Sequence, residues 1–245
     1  MYVVGVDGCR AGWVAVILNL DQGYETEIFR TFGELWQALS DSAQILADIP
    51  IGLLEDGSRE RRCDKEARSL LRPHGSSVFP APRRPTVYFQ ASNPDYRTVN
   101  DFQKKLCGKG LSRQTFAIIP KIRQVDQLLL KAEEARRKIR EVHPEICFWA
   151  FNGGKPLVHR KKRTKGFETR VRLLKRIYPP TEEVVEAACA KFKRKDVGRD
   201  DIVDALAAAV TALLGQSRPL DSIPDIPEKD ALGLPMEMVY FRMED

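Results

Sequence analysis

Met1-Tyr-Val-Val-Gly-Val-Asp7-Gly-Cys-Arg-Ala-Gly12-Trp-Val-Ala-Val-Ile-Leu18 decides how the chain is read. Tyr2 to Val6 is a β-branched apolar run, the pattern of a strand buried on both faces. Asp7 ends that run, Gly8 and Gly12 allow a tight turn, and Trp13 to Leu18 reads as a second strand. Asp-Gly by itself is a hairpin signal. A carboxylate that closes a buried strand beside a glycine turn is also a common way to hold a metal ion or a phosphate. The rest of the chain must decide between these readings.

Working outward, Asp21 to Gly23 is a turn and Tyr24 to Phe32 a third strand, so the chain begins as an antiparallel meander. Leu35, Trp36 and Leu39 then fall at helical spacing within Gly33 to Ser40. Gln44 to Gly52 reads as a fourth strand with Asp48 at its end, broken by Pro50 and Gly52. From Leu53 to about Gly110 the character changes to an insertion-like segment. It has a charged helix over Arg59 to Leu71, then a loop rich in proline and arginine that carries Arg72, His74, Arg83 and Arg84. A long loop inside a compact domain is more often functional than idle. These cations suit an anion, although a basic loop can also be merely solvated.

Ser112 is placed to cap a helix that Pro120 interrupts and whose apolar face includes Ile122, Val125 and Leu128. Ile139 to Val142 reads as a fifth strand, with His143, Pro144 and Glu145 just beyond it. Lys155 to Arg176 is dense in base, including Lys161, Lys162, Arg163 and Lys165, and Gly166 opens a helix within it. Thr181 to Ala190 is a further helix. Asp200 to Leu214 is the clearest helix of all, alanine-rich and ended by Gly215. Asp201 and Asp204 are three residues apart and share a face. Acids in a first turn also complement the helix dipole. Residues 216–245 read as a C-terminal extension, with an extended linker to Pro227 and an edge strand or tail near Met236 to Met243.

The composition narrows the class. At 245 residues one large domain is expected over residues 1–215, with segment 53–110 inserted in it. No run of eighteen apolar residues suggests a membrane span. The start lacks the pattern of a signal peptide. The five cysteines are scattered, with no Cys-x-x-Cys pair, which fits reduced thiols in the cytoplasm and argues against zinc. A net charge of +6 leans weakly toward a polyanionic partner.

Acids therefore end strands one and four, another lies near the end of strand five, and a pair lies in the late helix. In an α/β sheet ordered 3-2-1-4-5, strands one and four are neighbours, so Asp7 and Asp48 can converge. A helix packed across the sheet can bring Asp201 and Asp204 to them. Clustered carboxylates suit Mg²⁺ or Mn²⁺. Two such ions about 3.5–4 Å apart can activate water and stabilise the leaving oxygen of a phosphodiester.

Several short motifs carry a resemblance: Val4-Gly-Val-Asp7-Gly-Cys-Arg-Ala-Gly-Trp13, Ala47-Asp-Ile-Pro-Ile-Gly52, Arg62-Cys-Asp64 with Ala67-Arg68, and Ser77-Val-Phe-Pro-Ala-Pro82. Pro120-Lys-Ile122, Val125-Asp126, Glu141-Val-His-Pro-Glu145 and Asp200-Asp-Ile-Val-Asp-Ala-Leu-Ala207 follow in order. Together they resemble an uncharacterised bacterial and archaeal family of predicted RNase H-like nucleases, related to the RuvC-type Holliday-junction resolvases. The resemblance implies an RNase H-like fold, with Asp7 bridging metals and Asp201 or Asp204 completing the site. RuvC-type enzymes usually carry Glu at the strand-four position, where this chain has Asp48, and Glu145 could supply the missing reach.

The expected function is metal-dependent phosphodiester hydrolysis. Asp7, Asp48, Glu145, Asp201 and Asp204 would form the catalytic set, and all of these except Glu145 would be metal ligands. Arg83, Arg84, Lys161, Lys162, Arg163 and Lys165 would bind DNA or RNA. A homodimer is compatible with this reading, and no membrane partner is expected. The alternatives are a nucleic-acid-binding scaffold without catalysis and a nucleotide-binding protein of the actin and sugar-kinase type. The latter needs a duplicated domain, and the chain has no internal repeat. Serine hydrolase chemistry lacks its Gly-x-Ser-x-Gly motif.

Overall fold

The computed structural model describes residues 1–21, 23–90, 95–159 and 163–243. Strand β1 (Tyr2–Cys9) pairs antiparallel with β2 (Gly12–Asn19), Val6 lying opposite Ala15, and β2 pairs antiparallel with β3 (Tyr24–Phe29). Helix α1 (Phe32–Leu39) starts where the Thr31 hydroxyl accepts the Glu34 N–H, and this cap cuts the third strand short at Phe29. Strand β4 (Gln44–Ala47) then runs parallel to β1. Helices α2 (Arg62–Leu70), α3 (Arg84–Val87) and α4 (Tyr96–Cys107) follow, with a 3-10 turn at Gly75–Ser77. Next come α5 (Arg113–Lys131), α6 (Glu133–Lys138) and β5 (Ile139–Glu141), the last parallel to β4. Helices α7 (Pro144–Phe151), α8 (Thr164–Ile177), α9 (Thr181–Lys191) and α10 (Arg199–Leu214) lead to the hairpin of β6 (Asp221–Lys229) and β7 (Pro235–Tyr240). The main sheet has the order β3-β2-β1-β4-β5, as expected.

Both faces of the sheet are covered, which explains the unbroken apolar runs. Val4, Val6, Trp13 and Ala15 face one core with Phe32 and Leu35 of α1 and Ile122 and Val125 of α5. Val3, Val14, Val16 and Leu46 face the other core, built largely on α10. There Gly5 is decisive. A Cβ on Gly5 would lie 2.1 Å from both the Ala205 carbonyl oxygen and the Ala209 nitrogen. The backbone of α10 thus rests directly on β1, and Ala205, Ala208 and Ala209 are fully buried in that contact.

Two sequence expectations need correction, at Pro120 and in the C-terminal extension. Pro120 does not interrupt its helix, because α5 runs through it. The proline is exposed, so water can serve the Phe116 carbonyl that loses its N–H partner. Pro144, just beyond the fifth strand, starts helix α7, since its ring suits a first helical position. Segment 53–110 is a helical and loop insertion after strand four, as expected, with α2, α3 and α4 within it. Residues 221–229 are a strand rather than a linker, paired with β7. Met236, Met238 and Tyr240 of β7 pack against Cys63 and Ala67 of α2 and Ile146 of α7. Among the described residues no helix is long and apolar enough to cross a membrane.

Gly5→Ala should force α10 off the sheet. Overpacking a well-filled contact costs about 1–3 kcal/mol and occasionally more, so the melting temperature should fall by roughly 2–12 °C. A thermal melt monitored by circular dichroism checks this, and an unchanged melting temperature would mean that α10 is not seated on Gly5.

Candidate functional site

Side-chain alternation sorts the strand-end acids. Val3 and Gly5 face α10, so Asp7 on the same strand faces α10 too. On β4, Leu46 faces the α10 core, which puts Asp48 on that face as well. The Asp48 N–H donates to the Val6 carbonyl at 2.9 Å, and Val6 is the register partner of Ala47. Asp7 and Asp48 therefore end adjacent parallel strands side by side. Both line a cavity of about 670 Å³ at the carboxyl edge of the sheet. Asp7 is nearly buried, and its Oδ1 accepts the Gly8 N–H at 2.6 Å.

The late-helix acids approach the same region from α10. Asp201 accepts the Gly198 N–H at 2.9 Å and so closes the start of the helix. Asp204 is buried one residue before the Gly5 contact. Burial pushes the Cys147 thiol up to about 12, and both Asp48 and Asp204 add to that shift. Burial lowers the ammonium of Lys121, while Cys9, Asp7 and Asp201 hold it up. Lys121 thus feels the charge of both the strand-end acid and the helix acid. Its Nζ donates to the Gly12 carbonyl at 2.5 Å and lies over the Trp13 ring.

Glu145 lies in the first turn of α7, where both its oxygens accept from Arg170 Nη2, at 2.6 and 2.7 Å. Arg170 is buried, and it also donates to the carbonyls of His159 and Gly166. This pair fastens α8 and the segment before it to α7, on the wall of the cavity. Arg163 lines the cavity, and Lys165 is exposed on α8. Lys161 and Lys162 lie outside the described residues.

Arg83 and Arg84 depart from expectation, because both are buried rather than displayed on a loop. Arg83 donates to the carbonyls of Gly57 and Arg59. Arg84 pairs with Asp126 at 2.9 Å and with Asp230 at 2.6 Å. Asp230 also accepts the Leu53 N–H, so the C-terminal hairpin is bolted to the loop after β4. Neither arginine is presented to a nucleic acid, since each serves to satisfy buried carbonyls or carboxylates.

Other residues enter the site that spacing alone did not select. All three histidines of the chain, His74, His143 and His159, line the cavity. Arg61, Asp64 and Glu141 form its buried back wall: Arg61 bonds Asp64 at 2.6 Å and Glu141 at 2.7 Å. Burial pushes the Glu141 carboxyl up to about 7, against the pull of Arg61. Glu141 also accepts the Ile51 N–H at 2.7 Å, which fixes the chain just after Asp48. Asp64 and Lys121 sit inside motifs that carry the family resemblance, which was the available signal for them. Arg170 had none, being one of many bases in its segment.

Among the described residues no three His, Cys, Asp or Glu side chains stand close enough to hold a metal ion together. Asp7 and Asp48 still offer two neighbouring carboxylates. Magnesium is commonly held by one or two carboxylates, with water and substrate phosphate completing its shell. The donor chemistry therefore fits such an ion in the presence of a phosphate substrate.

A family model described as "Protein of unknown function (DUF429)" matches residues 5–229. No curated protein and no solved structure matches the chain.

Arg61→Met should lower the unfolding free energy by about 3–5 kcal/mol, because it strands Asp64 and Glu141 as buried charges. Urea denaturation measures the loss. A change below about 1 kcal/mol, the ceiling for an exposed ion pair, would mean that the Arg61 cluster is solvated.

Proposed function

The chain belongs to the family described as protein of unknown function (DUF429), and we propose that it is a metal-dependent nuclease of RNase H-like type. The observation that carries this reading is the pair Asp7 and Asp48, side by side in a cavity that Lys121 and Arg163 also line. The sheet order expected from the resemblance to RNase H-like nucleases supports it, as does the α10 backbone resting on β1 beside Asp7. The relation to that group is part of the proposal. The five free thiols suit a cytoplasmic protein, and a homodimer is compatible with it.

Asp7 and Asp48 would hold a Mg²⁺ or Mn²⁺ ion, with water and the substrate phosphate completing its shell and Asp201 and Asp204 adding negative charge from α10. Such an ion supplies Lewis-acid activation of water and neutralises charge on the phosphate. The chain's own residues do the rest. Arg163 at the cavity rim draws in a phosphodiester by charge. Lys121, which feels the charge of both Asp7 and Asp201, offsets part of their mutual repulsion. The Arg61 cluster fixes the backbone after Asp48, and the Glu145–Arg170 pair holds the wall that carries Arg163. Rigid support of this kind is what keeps carboxylates in a productive arrangement.

Two measurements test the reading. Asp7→Asn should abolish Mg²⁺- or Mn²⁺-dependent cleavage of labelled oligonucleotides. In wild type, Mn²⁺ at 100 times its Kd should stabilise the fold by about 2.7 kcal/mol, or roughly 5–10 °C in melting temperature. Asp7→Asn should lose most of that rise while matching wild type in chelator. A wild-type melt indifferent to Mn²⁺ would remove the metal-dependent mechanism.

A further inference from the structure

One wall of the cavity is the loop of residues 72–79, which follows α2. Its inner side, with Ser77 and Phe79, faces the cavity. Its outer side bounds a second, open pocket of about 340 Å³ that includes Lys65, Arg68 and Arg72. Ser76 lines both hollows, so they meet across a single residue.

The loop is held rigidly. Gly75 is buried against α2, where a Cβ would lie 2.4 Å from the Arg68 carbonyl oxygen. Arg68 donates to the Val78 carbonyl at 3.2 Å, and the Ala81 N–H donates to Asp64 at 3.0 Å. Phe79 lies between these last two anchors. Its ring is half-buried, and among the described residues it packs in none of the apolar clusters and meets no other ring. An aromatic face left unused at the wall of a polar cavity is suited to stacking a planar base.

The outer pocket has the matching charge. Arg68 is neutralised by Glu60. Lys65 and Arg72 are exposed and make no ion pair among the described residues. They are therefore free to neutralise phosphates. The main cavity is of the size that takes a small ligand, about 300–1,000 Å³. It admits a nucleotide or two of an unpaired strand, whereas a duplex would have to open first.

We propose that the 72–79 loop is a guide for single-stranded nucleic acid: Phe79 stacks a base in the cavity, and Lys65 and Arg72 hold the phosphates of the strand as it leaves over Ser76. The proposal takes its ligand class from the nuclease reading and specifies it as an unpaired strand. Because it concerns binding, it is tested without cleavage.

Fluorescence anisotropy in chelator, with a labelled twelve-nucleotide oligothymidylate and a blunt duplex of equal length, reads it directly. Wild type should bind the single strand at least about tenfold more tightly than the duplex. Phe79→Leu, which keeps bulk and apolarity but removes the π face, should weaken single-strand binding about tenfold, and Phe79→Trp should restore it. Lys65→Ala with Arg72→Ala should make the plot of log K against log salt shallower by about 1.4, the share of two phosphates on a single strand. Circular dichroism melts confirm that each variant is folded. Equal affinity for duplex and single strand, wild-type affinity in Phe79→Leu, or an unchanged salt slope in the double variant would each overturn the proposal. Metal-dependent cleavage with none of these binding differences would leave the nuclease standing without the guide. The binding differences without cleavage in any divalent metal would leave the guide standing without the nuclease.

Discussion

The missing side chain of Gly5 is the constraint on which the rest of the structure depends. It lets α10 lie with its backbone on the central strand, closer than any side chain would permit. The buried alanines of α10 extend that contact across the sheet. This close seating sets the depth at which Asp201 and Asp204 approach the strand-end acids. It also closes the core beneath Asp7, so the cavity at the sheet edge has a firm floor.

Basic residues do two separate jobs around that floor. Arg61, Arg84 and Arg170 are buried and consume their charge internally, each joining elements that are far apart in the chain. Arg84 alone ties α3 to residues 42 and 146 positions away. Such pairs add little net stability over apolar packing, but removing one partner is costly because the other is left charged and dry. Their effect is geometric: each pins a loop or helix that borders the cavity. Lys65, Arg72 and Arg163 instead keep their charge at the surface. Among the described residues four buried arginines face seven buried carboxylates, so the exterior is more basic than the formal charge of +6 alone conveys.

Much of the fold could be read from residue patterns, because strand and helix periods are local properties. The apolar run over Tyr2 to Val6, the turn at Gly8 to Gly12 and the alanine-rich stretch after Asp200 each announce their own element. The order β3-β2-β1-β4-β5 follows once the first three strands form a meander and the fourth returns parallel beside the first. Asp7 and Asp48 were legible as neighbours on the same grounds. Helix α7 and strand β6 were not, since proline at Pro144, Pro224 and Pro227 signals a break locally, and only packing decides whether an element forms around it.

The sequence by itself determined the strand and helix periods and the placing of acids at strand ends. Only the tertiary structure decided which charges face water. Arg83-Arg84 and Arg163 look alike as text, yet the first two meet buried carbonyls and carboxylates, while Arg163 stands at the rim of the cavity. The reason is that an arginine's role is set by the acceptors within its reach. Those acceptors come from segments such as Asp126 and Asp230 that local pattern cannot bring beside it. The same holds for the three histidines, scattered along the chain and gathered only when the loop after α2, the end of β5 and the segment before α8 close around one cavity.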